Sequence, residues 1–302
     1  MSSPWIQALR SIALDVPDLG VAENFYTSVW NLEVAARQQD ALYLRGSGSD
    51  HHLLALHRGG AVPRVRHVTF RARSEDSLQA VAGAAVQAGG TVARPIGPSS
   101  DPAGGWSVAV RDGDGRVFEV VFDDAVEREA RDRGDRPVRL AHVVLNSHDI
   151  ASTQRFVEQA LRFSLADRTR VMAFMNCNRD HHSLAIAEAD NDALNHIAFL
   201  MPDVDSVMRG GGRMKDAGFA IEWGPGRHGP GDNAFNYFVD PFGVVIEYTA
   251  EVEQIDDSYP VGGPEDWKWP AGRVDQWGIS APPSARLKEA QRKVLFAPSG
   301  RA

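Results

Sequence analysis

The stretch "LAHVVLNSHDI" (residues 140 to 150) reads as a β-strand followed by an aspartate placed to start a helix. A counterpart built to the same plan lies far upstream, "LRSIALDVPDL" (9 to 19). Further pairs follow in the same order: "HHLLAL" (51 to 56) with "HHSLAI" (181 to 186), "RHVTF" (66 to 70) with "NHIAF" (195 to 199), and "DGRVFEVV" (114 to 121) with "FGVVIEYT" (242 to 249). The two members of each pair are offset by 131, 130, 129 and 128 residues in turn. An offset so nearly constant is a duplication, with single-residue deletions in the loops between matched strands.

Each half repeats a strand, an amphipathic helix and then short strands. In the second half "DIASTQRFVEQALRF" offers Asp149 as N-cap, with Ile150, Phe156, Ala160 and Leu161 near helical spacing. A second helix is expected over "DVDSVMRGGGRMKDAG", ended by Gly218, although each of its three internal glycines costs about 1 kcal/mol relative to Ala. The expected fold is α+β, four βαβββ units paired into two domains over residues 5–125 and 138–252. The charged "DAVEREARDRGDRP" between them reads as a solvated linker or short helix. Residues 253–302, rich in Pro and Trp ("GGPEDWKWPAGRVDQWGI"), are expected to pack over the second domain as an ordered tail and possible lid.

With 302 residues, 43% of them hydrophobic, the chain can bury two ordinary cores. Its 32 basic residues are outnumbered by 40 acidic ones, for a net charge of -8, so neither nucleic acid nor an anionic membrane is an expected partner. No apolar run reaches the roughly 18 residues of a membrane span and the start lacks a secretory pattern, which makes the cytoplasm the expected location. One cysteine, Cys177, excludes an intramolecular disulfide and a Cys-based zinc cluster, and its surroundings read as a buried thiol.

Side chains alternate along a strand, so Leu140, His142, Val144 and Asn146 share a face, as do Leu194, His196, Ala198 and Leu200, and Val245, Glu247 and Thr249. Each apolar row carries one potential ligand. Two imidazoles and a carboxylate on rigid strands make a facial triad that leaves positions open on non-haem Fe(II). A lone strand histidine is more often a core or surface residue. Here all three fall at matching steps of one duplicated frame, and the first half lacks the set: Ser11 stands for His142, although His67 and Glu119 persist. The first half is therefore expected to be a degenerate copy. "GPGRHG" (224 to 229) fits a dinucleotide fingerprint only literally, since a strand rather than a helix follows, and "DGDG" (112 to 115) reads as a hairpin turn.

On these residues the sequence resembles the vicinal-oxygen-chelate superfamily, and within it the type I extradiol catechol dioxygenases. The resemblance covers both halves, with its specific motifs in the second. It implies metal ligands His142, His196 and Glu247 for Fe(II), with Mn(II) equally suited, and a catalytic acid/base at His182 in "HHSLAI". It implies an active-site tyrosine at Tyr237, ten residues before the glutamate, and a supporting acid at His228, nine before the tyrosine. Its expected reaction is ring cleavage of a small aromatic diol by O2 in a homo-oligomer. Because consecutive strand residues face opposite ways, His181 is expected to point outward or support a loop. Expected substrate contacts are Phe174, Asn146, Trp223 and Arg273. Arg273 is placed like an arginine that meets the carboxylate of phenylacetate-type catechols, while Trp223 stands where such members carry another arginine. Trp267, Trp269 and Trp277 offer the alternative of covering an alkyl or aryl catechol. The rival functions are a glyoxalase-like isomerase or thiol transferase and a small-molecule binding protein of the same superfamily, since the scaffold alone does not separate them.

Overall fold

The structure is a computed structural model that describes residues 3–127 and 134–298. In the first half β1 (Ile6–Val16), α1 (Leu19–Ser28), β2 (Glu33–Gln38), β3 (Ala41–Arg45) and β4 (Leu54–Arg58) form one unit. β5 (Arg64–Ala72), α2 (Asp76–Gln87), β6 (Thr91–Pro98), β7 (Trp106–Arg111) and β8 (Val117–Phe122) form the next. The second half repeats both: β9 (Arg139–Ser147), α3 (Ile150–Ala160), β10 (Ser164–Arg168), β11 (Met172–Asn176) and β12 (Leu184–Glu188), then β13 (Ala193–Leu200), α4 (Val204–Asp216), β14 (Trp223–Arg227), β15 (Ala234–Val239) and β16 (Val245–Ala250). Each half is one mixed sheet, ordered β2-β3-β4-β1-β5-β8-β7-β6 and β10-β11-β12-β9-β13-β16-β15-β14. The first strands of the two units, β1 with β5 and β9 with β13, pair antiparallel at the centre of each sheet. This is the four-unit α+β fold expected from the duplication. Six residues of the expected linker, 128–133, lie outside the described residues.

Local chemistry explains the helices. Asp149 accepts the Ser152 N–H at 3.0 Å and Asp203 the Ser206 N–H at 2.7 Å, capping α3 and α4. Two of the three glycines of α4 have a packing reason: a Cβ on Gly210 would lie 2.7 Å from the Tyr248 ring, and one on Gly211 would lie 3.0 Å from the Asn236 amide, whereas one on Gly212 would meet open space. Helix and sheet approach more closely than alanine allows. Tyr248 also stacks on Trp30 of the first half at 3.6 Å and donates to its carbonyl at 2.7 Å. The fully buried Arg116 reaches from its own Asp112 to Asn146 O at 3.0 Å and to Asp192 at 2.5 Å. The two halves share one hydrophobic core.

The C-terminal residues turn back over the second sheet. In α5 (Ala285–Ala290), Leu287 and Ala290 pack with Phe235, Tyr237, Val239 and Val245. β17 (Val294–Leu295) then pairs antiparallel with β13. Among the described residues no helix is long and apolar enough to cross a membrane.

Candidate active site

Strand register brings the three proposed ligands together. Ala198 on β13 pairs with His142 on one side and with Glu247 on the other, so the two ligands flank a residue too small to separate them. The row continues to Tyr237, opposite Glu247, and to Trp223, opposite Tyr237. His196 enters from β13, opposite Val144. The Nε2 atoms of His142 and His196 each lie 3.2 Å from Glu247 Oε2, and all three residues are buried. One potential ligand atom from each lies within 4.8 Å of the others.

Burial pushes the Glu247 carboxyl up, but the neighbouring imidazoles of His142, His196 and His228 outweigh it and hold it well below the ordinary carboxylate range. Burial pulls the His196 imidazole down to about 4 against the opposing pull of Glu247. Glu247 Oε1 and His142 Nδ1 have no hydrogen-bond partner. A buried carboxylate facing two imidazole nitrogens, with an oxygen left unpaired, is an expensive arrangement for protein alone and a fitting one for a divalent cation. The residues present fit Fe(II) or Mn(II).

The triad opens into a cavity of about 340 Å³ whose wall includes His182, Tyr237, His228, Phe174, Trp223 and Trp269. The His182 ring lies 4.3 Å from that of His142 and edge-on to Phe174 at 5.1 Å. Burial, then His142 and His181, hold its imidazole well below the usual range. The Tyr237 hydroxyl lies 3.0 Å from His228 Nε2 and 3.4 Å from His196 Nε2. Trp223 stacks on Tyr237 at 5.0 Å.

Three expectations need correction. Of the two roles expected for His181, pointing outward fails and supporting a loop agrees with its contacts: residues 181 and 182 precede β12 rather than lying in it, so strand alternation does not apply, both rings are buried, and His181 bonds Asp167, which holds Gly262 and Tyr259. Arg273 is absent from the cavity wall. Its side chain is exposed, with the guanidinium beside Gly278, and the residue that reaches the cavity is its neighbour Val274. Asn146 keeps the expected strand face but lies beyond the wall, where its side chain bonds Asn191, Asn195 and the Gln291 carbonyl. A related contact had no sequence signal. Asn195 Oδ1 lies 2.8 Å from His196 Nδ1 and also accepts from the Gln291 amide at 2.8 Å, which leaves His196 Nε2 free to face Glu247. Cys177 is buried, and burial pushes its thiol up to about 12, so it is no nucleophile.

The matching row in the first half shows what became of its site. Ser11, Thr69, Glu119, Ala109 and Arg94 stand where the second half has His142, Ala198, Glu247, Tyr237 and Trp223. With alanine in place of the tyrosine, the Arg94 guanidinium reaches Glu119, which also pairs with His67 at 3.0 Å. A side-chain cation sits beside the carboxylate. Among the described residues two other clusters with ligand spacing are likewise occupied: Arg10 bonds His52 and Asp101 of the His51/His52/Asp101 group, and Arg116 bonds Asp114 and Asp192 of the Asp114/His148/Asp192 group.

Burial raises the Glu119 carboxyl, but His67 and Arg94 outweigh it and lower it from 4.5 to about 2. A depressed folded-state value stabilises the protein above the unfolded value and ceases to do so as pH falls through the folded one. Glu119→Gln is therefore expected to cost about 2–3 kcal/mol at pH 7 by denaturant titration. The difference from wild type should shrink as pH falls below 4.5 and be largely gone near 2, while metal content compared at pH 7 should match that of wild type. A loss of metal in this variant would move the working site to the first half.

Comparison with known proteins identifies the family. Residues 139–248 match the family described as Glyoxalase/Bleomycin resistance protein/Dioxygenase superfamily, and residues 11–121 match the Glyoxalase-like domain. Metapyrocatechase 2 of Cupriavidus necator is 28% identical over 92% of this chain and 90% of its own length. A manganese-dependent 2,3-dihydroxybiphenyl 1,2-dioxygenase of Geobacillus genomosp. 3 is 25% identical over 76% of this chain and 80% of its own. The Mn(II)-bound glyoxalase of Novosphingobium aromaticivorans superposes with a TM-score of 0.84 at 32% identity, covering 95% of this chain and 94% of that one. Both halves by pattern, and nearly the whole length by identity and shape, place the chain in the glyoxalase/bleomycin resistance protein/dioxygenase superfamily.

Proposed function

We propose that the protein is an extradiol dioxygenase, breaking the C–C bond beside the two hydroxyls of a catecholic ring and placing both atoms of O2 in the product. The observation that carries this reading is the buried triad of His142, His196 and Glu247 opening on a cavity that also holds His182, Tyr237 and His228. The curated relatives named above, a metapyrocatechase and a dihydroxybiphenyl dioxygenase, support it. Fe(II) or Mn(II) held by the triad would supply the centre where diol and O2 meet and exchange electrons.

The chain's own residues do the rest. His182 takes a proton from one substrate hydroxyl and returns it as the O–O bond breaks. Tyr237, backed by His228, orients the substrate oxygen, and Phe174 and Trp223 hold the ring. Trp269, Val274 and Gln291 bring the C-terminal segment to the cavity mouth, where it excludes water as a cover. With Arg273 outside the wall and an apolar lining that includes Phe174, Trp223, Tyr237 and Trp269, an alkyl or aryl catechol is favoured over a carboxylate-bearing one. The working form belongs to this proposal as a cytoplasmic homo-oligomer.

The glyoxalase description of the 32% identical relative favours a second reading, a metal-dependent isomerase on the same scaffold. Mixing anaerobically Fe(II)- or Mn(II)-loaded protein with substituted catechols, then admitting O2, separates the two. O2 uptake in step with a yellow ring-opened chromophore is the expected result. Colourless product, or turnover of a thiol adduct of an α-ketoaldehyde without O2, would sink the dioxygenase reading.

A further inference from the structure

His182 does not stand alone behind its pocket face. Its Nδ1 lies 3.0 Å from Nδ1 of His181, and His181 Nε2 lies 2.8 Å from Oδ2 of Asp167. All three residues are buried. Asp167 is fixed in turn by the C-terminal segment: its Oδ1 accepts the Gly262 N–H at 2.6 Å and its Oδ2 accepts the Tyr259 hydroxyl at 3.0 Å. Gly262 is required for that approach, since a Cβ there would lie 2.4 Å from Oδ1.

We infer that His181 and Asp167 are positioning residues that set the tautomer of His182, and that the segment around Tyr259 and Gly262 holds the setting. The polarity follows from donor and acceptor counting. A carboxylate only accepts, so His181 Nε2 carries the proton facing Asp167. A neutral His181 then has a lone pair at Nδ1, so the proton of the 3.0 Å contact belongs to His182 Nδ1. His182 Nε2, on the other edge of the ring, is left as a lone pair toward the cavity, the form that accepts a proton from a substrate hydroxyl. The first half keeps the histidine pair, with the same 3.0 Å contact between His51 and His52, but its carboxylate, Asp101, pairs with His52 instead of His51. The orienting order is particular to the half with the complete triad.

The inference rests on His182 being the acid/base of the proposed reaction, and its test is chosen to fail separately. In Asp167→Asn the Gly262 N–H can only donate, so it keeps the amide oxygen and turns the NH2 group toward His181. His181 Nε2 must then accept, its Nδ1 must donate, and the His182 proton moves to Nε2, facing the pocket. Histidine ¹⁵N labelling of the full-length protein loaded with diamagnetic Zn(II) reads the tautomer directly. The expected spectra show His182 protonated at Nδ1 in wild type and at Nε2 in Asp167→Asn. In the Fe(II)- or Mn(II)-loaded enzyme the same variant should lower kcat on the order of 100-fold, with KM and metal content near wild type, as expected for a wrong-tautomer histidine. Wild-type protonation at Nε2, an unmoved proton in the variant, or a fall in metal content that accounts for the lost activity each overturns the inference. The spectra hold whether or not catechols prove to be the substrate.

Discussion

Replacing Glu247 with alanine is expected to abolish stoichiometric metal binding and reduce ring cleavage beyond detection. Loss of a group that merely hydrogen-bonds a ligand typically costs 10- to 100-fold in affinity, so loss of a ligand should cost on the order of 1000-fold or more. His142→Ala and His196→Ala should behave alike, because the three donors converge on one point. The fold should survive: the triad lies outside the shared hydrophobic core, and each sheet keeps its central antiparallel pair. Metal analysis after anaerobic Fe(II) loading, with thermal unfolding in the presence and absence of chelator, checks this. Bound metal stabilises the native state by mass action, so chelation should lower the wild-type Tm and leave that of the variants unchanged. A Glu247→Ala protein that keeps stoichiometric metal would contradict the ligand assignment. A fall in Tm upon chelation in that variant would do the same.

What could be read from the sequence was whatever repeats locally. The duplication revealed the architecture because each βαβββ unit carries its own periodicity and caps, and the triad followed because its members lie on strands whose faces alternate. Where alternation ended, so did its use: His181 turns inward rather than outward because 181 and 182 lie in the approach to β12. Arg273 was placed by similarity of its surroundings, but the turn that holds it sends Val274 to the cavity instead. The contacts that tune the site, from Gln291 to Asn195 and from Gly262 and Tyr259 to Asp167, join residues more than 90 positions apart through side chains that no local pattern marks. The Arg94 guanidinium beside Glu119 was hidden for a related reason, since it depends on the small side chain of Ala109 on the strand between them.

His182→Phe separates proton transfer from metal binding. Phenylalanine keeps a flat ring beside the aromatic edge of Phe174, and its extra volume can extend into the cavity that His182 lines, so the packing against His142 should be kept. His182 lies outside the converging triad, so metal content should stay near wild type. Turnover should fall 100-fold or more, the usual range for loss of a positioned acid/base being about 10²- to 10⁴-fold. KM for the catechol should change far less, because Tyr237, Trp223 and Phe174 still hold the ring. Steady-state O2 consumption with catechols, run beside metal analysis of the same sample, gives both quantities. His181→Phe is the informative partner: it removes the link to Asp167 and leaves the pocket-facing imidazole in place, so its loss in kcat should be smaller than that of His182→Phe. Full activity in His182→Phe together with inactivity in His181→Phe would mean that the other member of the pair does the chemistry.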